Sequence, residues 1–192
     1  MKAAVLFTSA ILLSQIISQT AISAESIQRK LFTLEKSMNS ENILLIHTQT
    51  DANCKFVENQ NGYVDFYWLM DGNTKKEVHP MIRSKVEERV RFAGINADKT
   101  SFKVSLNDLS ELKTDLDDNK IEVKSAIVNG ACQVQSIIKL GGSAKYKKLN
   151  LKRTYCEVEK NFFGVPKGCI YLDLEGTNAD TGEALKVRFN EK

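Results

Sequence analysis

The 192-residue sequence predicts an all-β fold. The expected form is an antiparallel sandwich or flattened barrel of about eight to ten strands, with one short helix after Pro80. Three observations carry this expectation. Val64, Phe66, Trp68 and Met70 alternate with Asp65 and Tyr67, the period of two that gives a strand one apolar face. Asn129-Gly130 stands between two further alternating runs, a strong short-range signal for a tight hairpin. The four cysteines form an even set, which in an exported chain reads as two disulfides.

Taken in order, residues 1–24 fit a secretory signal peptide. Lys2 supplies the positive start, Ala3 to Ile17 the apolar core, and Ile22-Ser23-Ala24 a small residue for cleavage. The segment is too short and too interrupted by Ser, Gln and Thr to span a bilayer, which needs about 20 apolar residues. The remaining residues, 25–192, suit a single β-rich domain. Ile27, Leu31, Leu34 and Met38 recur at helical spacing, while Leu31 to Leu34 fit a strand equally well, so that segment is open. Leu44 to Thr48 is short and apolar, and Asn53 to Glu58 alternates with Cys54 and Phe56 on one side. The Val64 to Met70 strand ends at Asp71-Gly72-Asn73. Past Pro80, Ile82, Val86, Val90 and Ala93 make a helical stripe. Phe102, Val104 and Leu106 form another strand.

Turn chemistry sets the register of the second half. Asn129-Gly130 places Ile127 opposite Cys132, Ser125 opposite Val134 and Ile121 opposite Ile138. A reversal at Gly141-Gly142 sets Val134 against Leu149 and Cys132 against Leu151. The longer loop from Glu157 to Gly168 sets Cys156 against Cys169, Arg153 against Leu172 and Lys152 against Asp173. The turn from Thr177 to Gly182 brings Leu185, Val187 and Phe189 to the inner face. A five-strand antiparallel meander results. On this register Cys132 faces inward and Cys156 outward, so the expected bonds are Cys54–Cys132 and Cys156–Cys169.

A spaced pattern in the first half resembles a known family. Leu31-Phe32, Lys36-Ser37, Asn42, Phe66-Tyr67-Trp68, Glu77-Val78 and Ile82-Arg83-Ser84 are similar to a family of secreted bacterial proteins catalogued as a domain of unknown function (number 4833). The resemblance covers mainly residues 31–92. It departs at Phe92-Ala93-Gly94, where the family has an aromatic residue followed directly by glycine. The resemblance implies an exported, periplasmic or extracellular protein of β-rich architecture, and it carries no mechanism.

Chemical signatures are few. His47 and His79 have no partner at metal-ligand spacing, so neither is expected to hold a metal, and His47 is expected at the surface or the rim. Asp115 to Asn119 imitates the start of a calcium loop, but Lys120 occupies the position that loop gives to glycine and Ala126 its closing glutamate; a turn is expected. No nucleophile elbow or phosphate-binding loop is present, and no cofactor is expected. A net charge of only +3 argues against a dedicated nucleic-acid binder, whose charge would be larger and clustered. Two stretches stand out. Lys145, Lys147 and Arg153 share the apolar face of a strand and are candidates for an anion or lipid-headgroup contact. Phe162, Phe163, Val165 and Pro166 lie at the tip of a loop tethered by the Cys156–Cys169 bond, a candidate partner contact. The function expected is an exported non-catalytic binding module that contacts a protein or envelope component. The alternatives are a barrel carrying a small apolar or amphipathic ligand, and a hydrolase with a carboxylate pair assembled from distant loops.

Overall fold

The computed structural model describes residues 26–37, 43–60, 62–70, 74–77, 90–106, 120–141, 147–164 and 166–190. Eleven strands form one curled sheet, a half-barrel, with no α-helix among the described residues. They are β1 (Ile27–Lys36), β2 (Ile43–Thr50), β3 (Asp65–Met70), β4 (Thr74–Glu77), β5 (Val90–Ile95), β6 (Ser101–Leu106), β7 (Lys120–Val128), β8 (Ala131–Lys139), β9 (Lys148–Lys160), β10 (Pro166–Asn178) and β11 (Ala184–Asn190). The signal segment, His79, the Asp115–Asn119 turn and residues 81–89 of the helix expected after Pro80 lie outside the described residues; Val90 and Ala93, the last two positions of that helical stripe, are in strand β5 instead, where Val90 pairs with Leu106 of β6.

The sheet branches at β9. Its main order is β4-β3-β2-β1-β9-β8-β7-β6-β5, with β10 pairing β9 from the other side and β11 beyond it. One edge of β9 is therefore shared. Lys148 to Asn150 pair antiparallel with β8, whereas Arg153 to Cys156 pair parallel with Thr33 to Lys36 of β1. The strands fanning out from this joint enclose one apolar core that includes Phe32, Ile46, Phe56, Phe102, Leu149 and Leu172. Phe56 meets the face of Phe102 edge-on at 4.7 Å, a favoured aromatic geometry. The segment open between helix and strand is β1, held on both sides by ladder partners.

The meander from β7 to β11 forms as the turn chemistry predicts, and the β7–β8 pairing matches it pair for pair: Ile127 with Cys132, Ser125 with Val134, Ile121 with Ile138. Asn129 and Gly130 both take positive φ, 50° and 75°, as a tight primed turn demands. The next two registers differ from expectation. Leu149 lies opposite Ile138 rather than Val134, because the connection is wider than a Gly-Gly turn: Leu140 donates its N–H to the Lys147 carbonyl at 3.0 Å. That offset is an even number of residues, so the faces are unchanged.

The β9–β10 register is corrected more deeply. Cys156 lies opposite Leu172, Tyr155 opposite Asp173, and Arg153 opposite Glu175. Single extra residues cause the change: Lys167 and Ile170 in β10, and Lys152 in β9. A bulge of one residue exchanges the faces beyond it. Leu149 and Leu151 point into the core before Lys152, and Thr154, Cys156 and Val158 do so after it. Cys156 is thus buried, not outward, and Arg153 is on the outer face, not the inner one.

Two smaller corrections concern the first half. Asn53 to Glu58 is a loop rather than a strand, with Asp51 Oδ1 accepting N–H bonds from Asn53 and Lys55 at 2.9 Å. His47 is 2% exposed, because β2 is buried on both faces in a central position of the sheet; its ring meets Tyr67 edge-on at 5.2 Å. Trp68 is half-buried, packed against the core's rim beyond the fully buried Val64 and Phe66.

Candidate contact site

The β9–β10 hairpin runs past the ends of its two neighbours, β1 and β11. β1 ends at Lys36, opposite Cys156, and the hairpin continues through Glu157 to Lys160 before it turns. Local chemistry explains the turn. The Asn161 side chain accepts an N–H bond from Phe163 at 2.9 Å, and its carbonyl accepts one from Gly164 at the same distance. Gly164 takes φ +76°, which a residue without Cβ adopts at no steric cost. The outcome is a tight tip that carries Phe162 and Phe163 outward, 97% and 84% exposed. The two rings stand edge to face at 5.6 Å and touch each other rather than the core. Below them the Cys156–Cys169 disulfide bridges the two strands. Pro166 opens β10 opposite Lys160, and Val165 lies outside the described residues.

The outer face at the hairpin's base carries a chain of charges across four strands. Lys186 on β11 binds Glu175 on β10 at 2.7 Å; Glu175 binds Arg153 on β9 at 3.0 Å; Arg153 binds Glu35 on β1 at 2.6 Å. Arg188 grips Asp173 through two nitrogens, both at 2.7 Å, and its guanidinium lies 3.7 Å over the Tyr171 ring. These contacts set the protonation states. The Arg188 bonds hold the Asp173 carboxyl down at about 2, against the opposing effect of burial. Lys186 first, then Arg153, lowers Glu175. The hydrogen bond to Glu35 raises Arg153 further above its already high range. Tyr155 donates its hydroxyl to Glu157 at 2.6 Å and is pushed up to about 12. The network ties the meander to the parallel strand β1 and steadies the hairpin's base.

Of the basic residues singled out in the sequence, Arg153 is engaged by two carboxylates on the outer face and Lys147 is exposed before β9. Lys145 lies outside the described residues. A groove of about 520 Å³ runs beside Arg153, lined by Lys30, Thr33, Glu35, Ile43, Lys152 and Thr177 among others. Sequence reasoning missed Glu35 and Glu175, and it set Asp173 against Lys152 where the structure pairs it with Arg188 and Lys186. The only signal for them was the alternation of charge on β10 and β11, Asp173 and Glu175 against Lys186 and Arg188.

The disulfides pair as expected, Cys54 with Cys132 and Cys156 with Cys169. Cys132 and Cys156 stay apart for a different reason than face: β8 meets β9 only at Lys148 to Asn150 and leaves it before Cys156. Among the described residues no three His, Cys, Asp or Glu side chains gather as metal ligands, and no helix is long and apolar enough to cross a membrane. No family model, no curated protein and no solved structure matches this chain.

Proposed function

We propose that this protein is an exported, non-catalytic binding module that contacts an envelope component through the tip of its β9–β10 hairpin. The carrying observation is the near-complete exposure of Phe162 and Phe163 above a disulfide. Exposed large apolar groups held together mark contact sites, and a bond at the base removes part of the ordering cost of binding. Two disulfides are compatible with an oxidising compartment outside the cytoplasm. The interior is filled by large side chains such as Phe32, Phe102, Leu151 and Leu174, which favours a contact module over a carrier with a ligand inside. The carboxylates near the hairpin are held ionised by cations, the opposite of the raised pKa a glycosidic acid needs.

The test is capture from an envelope extract by the disulfide-bonded protein and by the double variant Phe162→Ser with Phe163→Ser. The expected result is a melting temperature within a few degrees of the parent and capture lost, since surface substitutions cost at most about 0.5 kcal/mol. A melting temperature lower by many degrees would make the rings part of the core and remove the proposed site.

A further inference from the structure

We infer that the surface met by this hairpin is an anionic lipid bilayer, with Phe162 and Phe163 entering the interface and Lys160 and Lys167 at headgroup level. The inference rests on the contact reading above and names its partner.

Area favours a bilayer over a protein. Two phenylalanine rings bury about 300 to 500 Å² together, whereas a stable protein interface takes about 800 Å² from each side. The tip is narrow: only Asn161 to Gly164 turn the chain, and Lys160 and Lys167 flank it together with Val165 and Pro166. A bilayer interface demands less. It rewards a few aromatic side chains that protrude and a cationic layer just behind them.

The order of residues down the hairpin fits that layering. The rings come first. Lys160, exposed, is the last residue of β9, and Lys167 is the extra residue of β10 beside the Lys160–Pro166 pair. Glu159, opposite Gly168, and Glu157, opposite Tyr171, come only after them. Along the ladder Lys160 and Lys167 therefore come nearer the tip than Glu159 and Glu157, the order that suits a negatively charged surface. The hairpin extends past the end of β1, so its tip reaches a flat surface before that strand does. Net charge is +3 over the whole chain and +2 once Lys2 leaves with residues 1–24, a sign that suits approach to such a surface.

The experiment is co-sedimentation of the disulfide-bonded protein with vesicles of phosphatidylcholine alone and with phosphatidylglycerol added. Partition should rise about tenfold or more with phosphatidylglycerol and weaken as salt is raised. Phe162→Ser with Phe163→Ser should abolish it, and Lys160→Glu or Lys167→Glu should each reduce it roughly fivefold or more at unchanged melting temperature. Partition equal on both vesicles, or untouched by the phenylalanine change, overturns the inference. If no vesicle binds while the double variant still loses an envelope protein from the extract, the partner is a protein: the lipid assignment falls and the contact reading stands. If neither vesicles nor capture respond to the tip, both fall.

Discussion

Asp173 is 2% exposed and still ionised, because Arg188 supplies two charge-assisted bonds and Lys186 a further ion pair at 3.0 Å. A buried carboxylate so paired makes stability depend on pH. Its folded pKa of about 2 lies below the roughly 3.9 of an unfolded aspartate, so the unfolded chain binds the proton first as pH falls. The stabilisation is complete above the unfolded value and disappears as pH drops from about 4 to 2, on the order of 2 kcal/mol in all. Urea midpoints of the parent and Asp173→Asn should differ clearly at pH 6 and converge near pH 2. A difference that stays constant with pH would show that Asp173 acts through shape, not charge. Residues such as Asp173 are hard to read from sequence. The alternation with Leu172 and Leu174 gives its face, but its partners sit 13 and 15 positions away on β11, across a turn whose register decides them.

At the scale of strands, the bulge at Lys152 requires its partner strand to come close. Gly176 lies opposite Leu151, and a Cβ added there would collide with the backbone carbonyl of Asn150. Backbone cannot yield as a side-chain end can, so Gly176→Ala should cost about 2 to 3 kcal/mol. Gly168, in the same strand, has open space where its Cβ would stand, and Gly168→Ala should lie within about 0.5 kcal/mol of the parent. Equal urea midpoints for the two variants would remove the close approach from the account. The same strands show what turn chemistry can and cannot reveal. Asn129-Gly130 fixes two conformations and hence every pair of β7–β8. The β8–β9 offset preserves the faces, so hydrophobic pattern is blind to it. The three extra residues in β9 and β10 leave a normal-looking alternation on either side; those in β10 shift the pairing, and the one at Lys152 moves Arg153 outward and Cys156 inward. The parallel pairing of β1 with β9 joins segments about 120 residues apart with no turn between them to signal it.

At the scale of the molecule the two disulfides do different work. Cys54–Cys132 spans 78 residues and fastens the loop after β2 to the start of β8, so it links the first strands to the meander. Cys156–Cys169 spans 13 and closes one hairpin. Chain-entropy reasoning gives about 4 kcal/mol for the long closure and about 3 for the short one, so stability alone separates them poorly. Their consequences for contact should separate them well. With Cys54→Ala and Cys132→Ala, folded protein below its lowered urea midpoint keeps the intact hairpin and should bind phosphatidylglycerol vesicles as the parent does. With Cys156→Ala and Cys169→Ala, the strands under Phe162 and Phe163 lose their crosslink, and the rings must be ordered at the moment of binding at about 0.5 to 1.5 kcal/mol per side chain. Vesicle affinity should fall about 5- to 150-fold in conditions where circular dichroism shows the sheet intact. Equal affinity for both double variants would mean that β10 and the outer-face charges hold the tip without the bond, and that the short disulfide serves the sheet rather than the contact.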